Sequence, residues 1–144
     1  MQIVPASVQA ESGIKNLLGA CGLPSDDIHS SQIGNFFIIQ DSGHVVGSVG
    51  LEICGEFGLM RSLTLSESLR GQGLGTQLVE HIEGYARSKK IKSIYLLTTS
   101  ADQFFARLGY QITVREYAPA PLQGTTEFES ICPASAVCMF KELK

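Results

Sequence analysis

No apolar run in the sequence approaches the ~20 residues that a membrane-spanning helix needs. The opening MQIVPASVQAESG lacks the basic stretch and following apolar stretch of a secretory leader. There is no excess of positive charge either. Eleven Lys and Arg stand against 14 Asp and Glu, a net of −3, which gives no electrostatic case for nucleic acid or a membrane surface as partner. A cytoplasmic protein is expected. The four cysteines, Cys21, Cys54, Cys132 and Cys138, include no CxxC pair. In a reducing compartment they read as free thiols. Cys132 and Cys138 have no usual zinc spacing, so they read as packing residues, and no metal is expected. No repeat, low-complexity tract or linker appears. Residues 1–144 therefore read as a single domain, long enough to bury a core without metal or disulfide staples.

What is present alternates between helical and strand patterns. Ile14, Leu17, Leu18 and Cys21 fall at helical spacing, and Gly22 and Pro24 end that helix. A second short helix is expected over Ser25–Gln32, with Asp26 and Asp27 near its start. NFFIIQ (35–40), the turn Asp41-Ser42-Gly43 and HVVGSVGLEIC (44–54) form a hairpin pattern. FGLMRSLTL (57–65) follows as a third strand. A helix runs from the glycines at 71–75 to about Lys89, with a stripe through Leu74, Leu78, Val79 and Ile82. IKSIYLLTT (91–99) is apolar enough for a strand covered on both faces. SADQFFARLG (100–109) reads as a helix capped by Ser100 and stopped by Gly109. Strand resumes over Tyr110–Tyr117. A long loop, with one helical turn at TEFES, then leads to a last strand, AVCMFKEL (136–143). The order is that of an α/β chain.

The stretch LRGQGLGT (69–76) carries the chemistry. A strand, a glycine-rich turn and a helix are the local plan of an anion site, because the new helix offers unpaired N–H groups at its positive end. Arg70 adds a forked, permanent cation suited to phosphate. The glycine spacing is not that of a dinucleotide fold, and no acid follows near Tyr95 where one would be needed. No P-loop lysine is present. The bland alternative is a turn that eases strand–helix packing.

SLTLSESLRGQGLGTQLVEHIEGYA resembles motif A of the GCN5-related N-acetyltransferase (GNAT) superfamily, with Arg70, Gly73 and Gly75 at the positions of [RQ]-x-x-G-x-[GA]. ADQFFARLGYQ is similar to a second motif of that superfamily through Ala101, Phe104, Gly109 and Tyr110. A narrower resemblance, through GLMRSLTL, LLTTSADQFFARLGY and EFESICPASAVCM, is to the arsenic-resistance N-acetyltransferases, the ArsN group. The resemblance implies a mixed central sheet of six or seven strands with helices on both faces, acetyl-CoA as co-substrate, and a small amine as acceptor, with an organoarsenical amino acid as the candidate from the narrower group. It leaves room for a homodimer. It also implies site roles. Arg70, Gly71, Gln72, Gly73, Leu74, Gly75 and Thr76 would hold the diphosphate. Leu63, Thr64 and Leu65 would pair with the pantetheine arm, and the Leu63 N–H would face the oxyanion. Thr98, Phe104 and Phe105 would line the cofactor. Two positions depart from the superfamily. Phe105 stands where a tyrosine usually protonates the departing thiolate, and Thr98 where an asparagine is common. A hydroxyl of Thr98, Thr99, Ser100 or Tyr110, water, or departure as bare thiolate would have to serve.

The amine must reach the thioester unprotonated, so a carboxylate or an ordered water is required. Glu52, inside an apolar run, is the first candidate base and Glu56 the second; Glu52 could equally be an exposed strand residue or part of an ion pair. Arg61 interrupts a central strand and needs a partner if buried. It reads either as a salt bridge to Glu52 or Glu56, or as a fork for a substrate carboxylate. Phe57 is a pocket-wall candidate. Two alternatives keep the fold: an acceptor that is a protein N-terminus or lysine, and a module that binds acyl-CoA without catalysis.

Overall fold

The computed structural model describes residues 2–23, 25–128 and 136–143. Its strands are β1 (Ile3–Pro5), β2 (Phe36–Asp41), β3 (His44–Cys54), β4 (Phe57–Leu65), β5 (Ser93–Thr98), β6 (Gln111–Thr113) and β7 (Val137–Glu142). They form one mixed seven-stranded sheet in the order β1-β2-β3-β4-β5-β7-β6. Among the described strands, β4 and β5 are the one parallel pair. The α-helices with both ends among the described residues are α1 (Glu11–Ala20), α2 (Leu74–Ser88), α3 (Asp102–Arg107) and the single turn α4 (Ala120–Gln123), and residues 126–128 are also helical. No helix among the described residues is long and apolar enough to cross a membrane.

Four local expectations need correction. β1 was not anticipated: three residues ending in Pro5 are too few to show alternation, and pairing with Phe37–Ile39 makes them a strand. The helix expected over Ser25–Gln32 is a 3-10 segment at Ser30–Asn35, and Asp27 precedes it because its carboxylate is bound to Arg61 on the sheet. The strand expected over Tyr110–Tyr117 stops at Thr113, and a 3-10 turn occupies Arg115–Tyr117 ahead of Pro119. Ala101, not Ser100, caps α3, and the Ala101 N–H donates to Thr98 Oγ1 (3.0 Å).

The two faces of the sheet are filled differently. Phe37, Ile39, Val49, Leu51, Met60, Ile94 and Leu96 meet the Leu74, Leu78, Val79 and Ile82 stripe of α2. On the opposite face, Phe36 and Ile38 pack with Ile14 and Leu18 of α1. Burial on both sides explains why FFII in β2 shows no alternation. A third cluster, Leu59, Ala118, Leu122, Phe128 and Cys138, anchors the long connection before β7 to the α1 side. Cys138 packs there, and burial pushes its thiol up to about 11. Cys132 lies outside the described residues.

Two irregularities in β4 build the site. The β3–β4 register runs Gly50↔Arg61 and then Ser48↔Thr64, so Ser62 and Leu63 oppose one residue, a β-bulge. Ser62 sits at φ 58°. Ser48 Oγ donates to the Ser62 carbonyl (2.7 Å), and Arg61 Nε donates to Ser62 Oγ (3.1 Å), which fixes the bulge. The extra residue puts Leu63 and Leu65 on the α2 side with Met60, although simple alternation would place them beside Arg61. Second, β4 pairs with β5 only through Phe57–Leu59 and Ser93–Tyr95. Both strands continue, to Leu65 and Thr98, and diverge.

Gly50 sits between Phe36 and Arg61 in the ladder. A Cβ there would lie 2.5 Å from the ring of fully buried Phe36. Gly50→Ala is expected to destabilise the fold by about 1–3 kcal/mol, the usual cost of overpacking. Chemical denaturation would measure this, and an unchanged midpoint would show that the ring moves freely.

Candidate functional site

The divergence of β4 and β5 opens a cleft of about 1180 Å³, somewhat larger than most small-molecule pockets. One end is the glycine loop. Gly71 and Gly73 adopt φ of 79° and 82°, the left-handed region that favours glycine, and a Cβ on either would meet open space. Gly75 is different: its φ is not in that region, and a Cβ there would meet the Phe104 ring at 3.4 Å, an ordinary contact. Backbone conformation therefore accounts for Gly71 and Gly73, while Gly75 brings the start of α2 against Phe104. Gly73 caps α2 without a side-chain hydrogen bond, so the first-turn N–H groups of a 15-residue helix point out of the loop. Arg70 folds over this end, donating to the Leu65 carbonyl (3.2 Å) and lying 3.4 Å from Cys21 Sγ.

The cleft wall is Met60 through Leu65 on one side and Leu96 through Ala101 on the other, with Phe104 and Phe105 between. Among the described residues no strand lies beside the diverging edge of β4 over Met60–Leu65, so its backbone polar groups face the cleft without sheet partners from β5. Of the residues expected to contact a cofactor, Leu63, Thr64, Leu65, Arg70, Gly71, Gly73, Gly75, Thr76, Thr98, Phe104 and Phe105 line this cleft. Gln72 and Leu74 do not. Gln72 donates to the Ser68 carbonyl (3.2 Å), and Leu74 is buried in the α2 core. Tyr110 is removed as a proton donor to the cleft. Its hydroxyl is buried and donates to Glu83 Oε2 (2.8 Å), and burial together with the Glu83 charge drives its pKa far upward.

The other end is ionic. Arg61 points to the α1 side, with its side chain only 2% exposed. Its fork is filled by Asp27: Nη1 bonds Oδ2, and Nη2 bonds Oδ1 at 2.6 Å. Glu127 Oε1 lies 3.7 Å from Nη2, and Glu52 Oε2 lies 3.9 Å from Nη1. Three carboxylates thus share one guanidinium. Burial raises the Glu52 carboxyl, against the pull of Arg61, and Oε2 is buried without a hydrogen bond. Burial pushes Glu127 up to about 7, opposed by Arg61 and reinforced by the charges of Asp27 and Glu52.

Arg61 separates two openings. Asp26, Arg61 and Glu127 line the cleft. Glu52 lines a second pocket of about 230 Å³ with Gln32, Asn35 and the far side of Arg61. Glu56 is remote from both, paired with Lys92 on the surface (3.2 Å). Phe57 packs edge-on against Tyr95 and does not line the cleft. The sequence reading missed Asp27 and Glu127. The available signal was Arg61 itself: a buried arginine demands acids, and the hairpin neighbours were not the only ones the fold could supply.

The model of the Acetyltransferase (GNAT) family matches residues 18–110. An uncharacterized N-acetyltransferase of Chlorobaculum tepidum is 31% identical over 88 residues, 60% of this chain and 56% of that protein. An amino-acid acetyltransferase of Ralstonia nicotianae is 31% identical over 80 residues, 54% of this chain and 18% of that protein. The chain therefore spans about half the length of the first relative and under a fifth of the second. Among solved structures, N-acetylglutamate synthase of Neisseria gonorrhoeae, complexed with coenzyme A and N-acetyl-glutamate, superposes with a TM-score of 0.84 at 21% identity over 99% of this chain and 35% of that one. Rv2747 of Mycobacterium tuberculosis, in complex with CoA, gives 0.83 at 18% identity over the full length of both chains. With the family model spanning most of the chain, and the sheet, bulge and glycine loop arranged as described, this chain belongs to the GNAT family of acetyltransferases.

Proposed function

We propose that the chain transfers an acetyl group from acetyl-CoA directly to the amine of a small acceptor. The observation that carries this reading is the single cleft that runs from the glycine loop, along the unpaired edge of β4, to the ionic cluster at Arg61. A diphosphate fits the exposed N–H groups after Arg70. An extended, amide-bearing arm fits the free edge over Leu63–Leu65 as an added strand. The Leu63 N–H is the donor for the developing oxyanion, an interaction worth ~3–4 kcal/mol where measured. Phe105 has no proton to give. The leaving sulfur departs as a thiolate, which a free thiol pKa of ~8.5 allows.

A small acceptor is favoured over a protein chain because the far end of the cleft closes on buried side chains: Arg61 and Glu127 are each about 5% exposed. Two acceptor classes remain distinct. The names of the amino-acid acetyltransferase relatives support an acceptor that carries a carboxylate, and the resemblance to the ArsN group extends this to a toxic amino-acid analogue. Such a carboxylate would have to displace Asp27 from the Arg61 fork. The filled fork and the surplus of acids favour, as a second reading, a cationic amine without a carboxylate. The test is to incubate the protein with acetyl-CoA and a panel of L-glutamate, L-phenylalanine, their amides and putrescine, following thioester loss. Turnover of at least one amine is expected. CoA binding without thioester loss for any amine would leave a binding module in place of an enzyme.

A further inference from the structure

We propose that Glu127 accepts the proton that the acceptor's ammonium group must shed before it attacks the thioester. The inference rests on the acetyl-transfer reading above and names a residue within that site. Three observations carry it. First, the cluster holds three carboxylates against one guanidinium, and Asp27 takes both Nη donors. Glu127 is left at 3.7 Å, an attraction without a hydrogen bond. Second, of the three carboxylates only Glu127 lines the cleft, while Glu52 opens on the pocket beyond Arg61. Third, Glu127 is held in place. Arg115 Nη2 donates to the carbonyls of Glu127 (3.2 Å) and Phe128 (2.6 Å), and Phe128 is buried against Leu59, Leu122 and Cys138.

The charges facing Glu127 are Arg61 on β4, Asp27 from the connection after α1 and Glu52 on β3; Asp26 lines the same cleft. Arg115 holds its backbone. Crowding by acids in a buried setting keeps this carboxyl protonated up to about pH 7. That is a proton affinity suited to a base working near neutrality. The step balances as follows. The ammonium gives one proton to the Glu127 carboxylate. The freed nitrogen lone pair forms the C–N bond to the acetyl carbon, and the C–S bond breaks. The second nitrogen proton is then taken up by the departed thiolate, giving CoA thiol. Glu127 returns its proton to solvent.

The test compares wild type, Glu127→Gln and Glu52→Gln with acetyl-CoA and an amine that turns over in the panel. For wild type, kcat/KM should rise with a midpoint near 7 and hold level up to the amine's own pKa. Glu127→Gln should lose the plateau and climb in proportion to free amine, ~100-fold down at pH 7 and converging with wild type above the amine pKa. Glu52→Gln should keep the plateau and shift its midpoint to lower pH, because a negative neighbour of Glu127 is gone. A readout independent of turnover is thermal stability. A carboxyl held protonated in the fold but not in the unfolded chain makes stability fall as pH rises from about 4.5 to 7, and Glu127→Gln should flatten that fall. An unchanged plateau in Glu127→Gln, or a plateau lost in Glu52→Gln instead, overturns the proposal. Absence of turnover by wild type with every amine at every pH overturns the acetyl-transfer reading itself.

Discussion

Arg61→Ala is expected to destabilise the protein by about 3–5 kcal/mol, the cost of stripping one partner from a buried ion pair. For a chain of this size that is a fall of roughly 6–20 °C in melting temperature. The reason lies in what remains. Asp27, Glu52 and Glu127 are gathered around a side chain that is 2% exposed. Without the guanidinium they are three like charges in poor solvent, and Asp27 loses both of its hydrogen bonds to the fork. The carboxylates can relieve this only by taking up protons, so the loss should be smaller at pH 6 than at pH 8. Arg61→Lys should recover part of it, since a lysine restores the charge but not the bidentate geometry. Melting curves across that pH range check the prediction. A drop under about 2 °C at pH 8 would mean that the cluster does not depend on Arg61.

Gly73→Val should act in the opposite way, with little effect on stability and a large one on the donor. Gly73 holds φ 82° in an exposed loop, with nothing near its Cα to clash with a side chain. The obstacle is therefore conformational, ~1–2 kcal/mol for an L residue in this region and worse for a β-branched one. In the free protein the loop can relax around the new residue. Binding must then rebuild the strained turn, so the cost appears in CoA affinity as a roughly 5–30-fold rise in Kd. Calorimetric titration with CoA, beside a melting curve of the same variant, separates the two effects. An unchanged Kd would show that the loop is not the diphosphate grip.

These two sites also mark what the sequence could disclose. The glycine loop was legible because its parts are adjacent: strand, arginine, glycines and helix fall within one short stretch, and Leu63 and Leu65 precede it directly. The hairpin was legible for the same reason. The ionic cluster was not. Arg61 announced a need for acids, but Asp27 comes from a connection 34 residues earlier, and Glu127 from the one helical turn, TEFES, expected inside a long loop. Nothing local distinguishes an acid destined for the surface from one the fold draws inward. Glu52 and Glu56 were both plausible by proximity in the chain, yet one faces the far side of Arg61 and the other the solvent. The bulge was equally hidden. Ser62 at φ 58° is held by Ser48 and Arg61, and neither contact leaves a trace in the order of residues.

That single extra residue works as a change of phase along the strand. Up to Arg61, β4 counts in one parity; from Leu63 onward it counts in the other. One strand can therefore offer its basic residue to the acids on one side of the sheet and its leucines to the oil on the other. Exchanging Ser62 for another small residue leaves the count intact. Deleting it would turn everything downstream over, carrying Leu63 and Leu65 toward the carboxylates and away from α2.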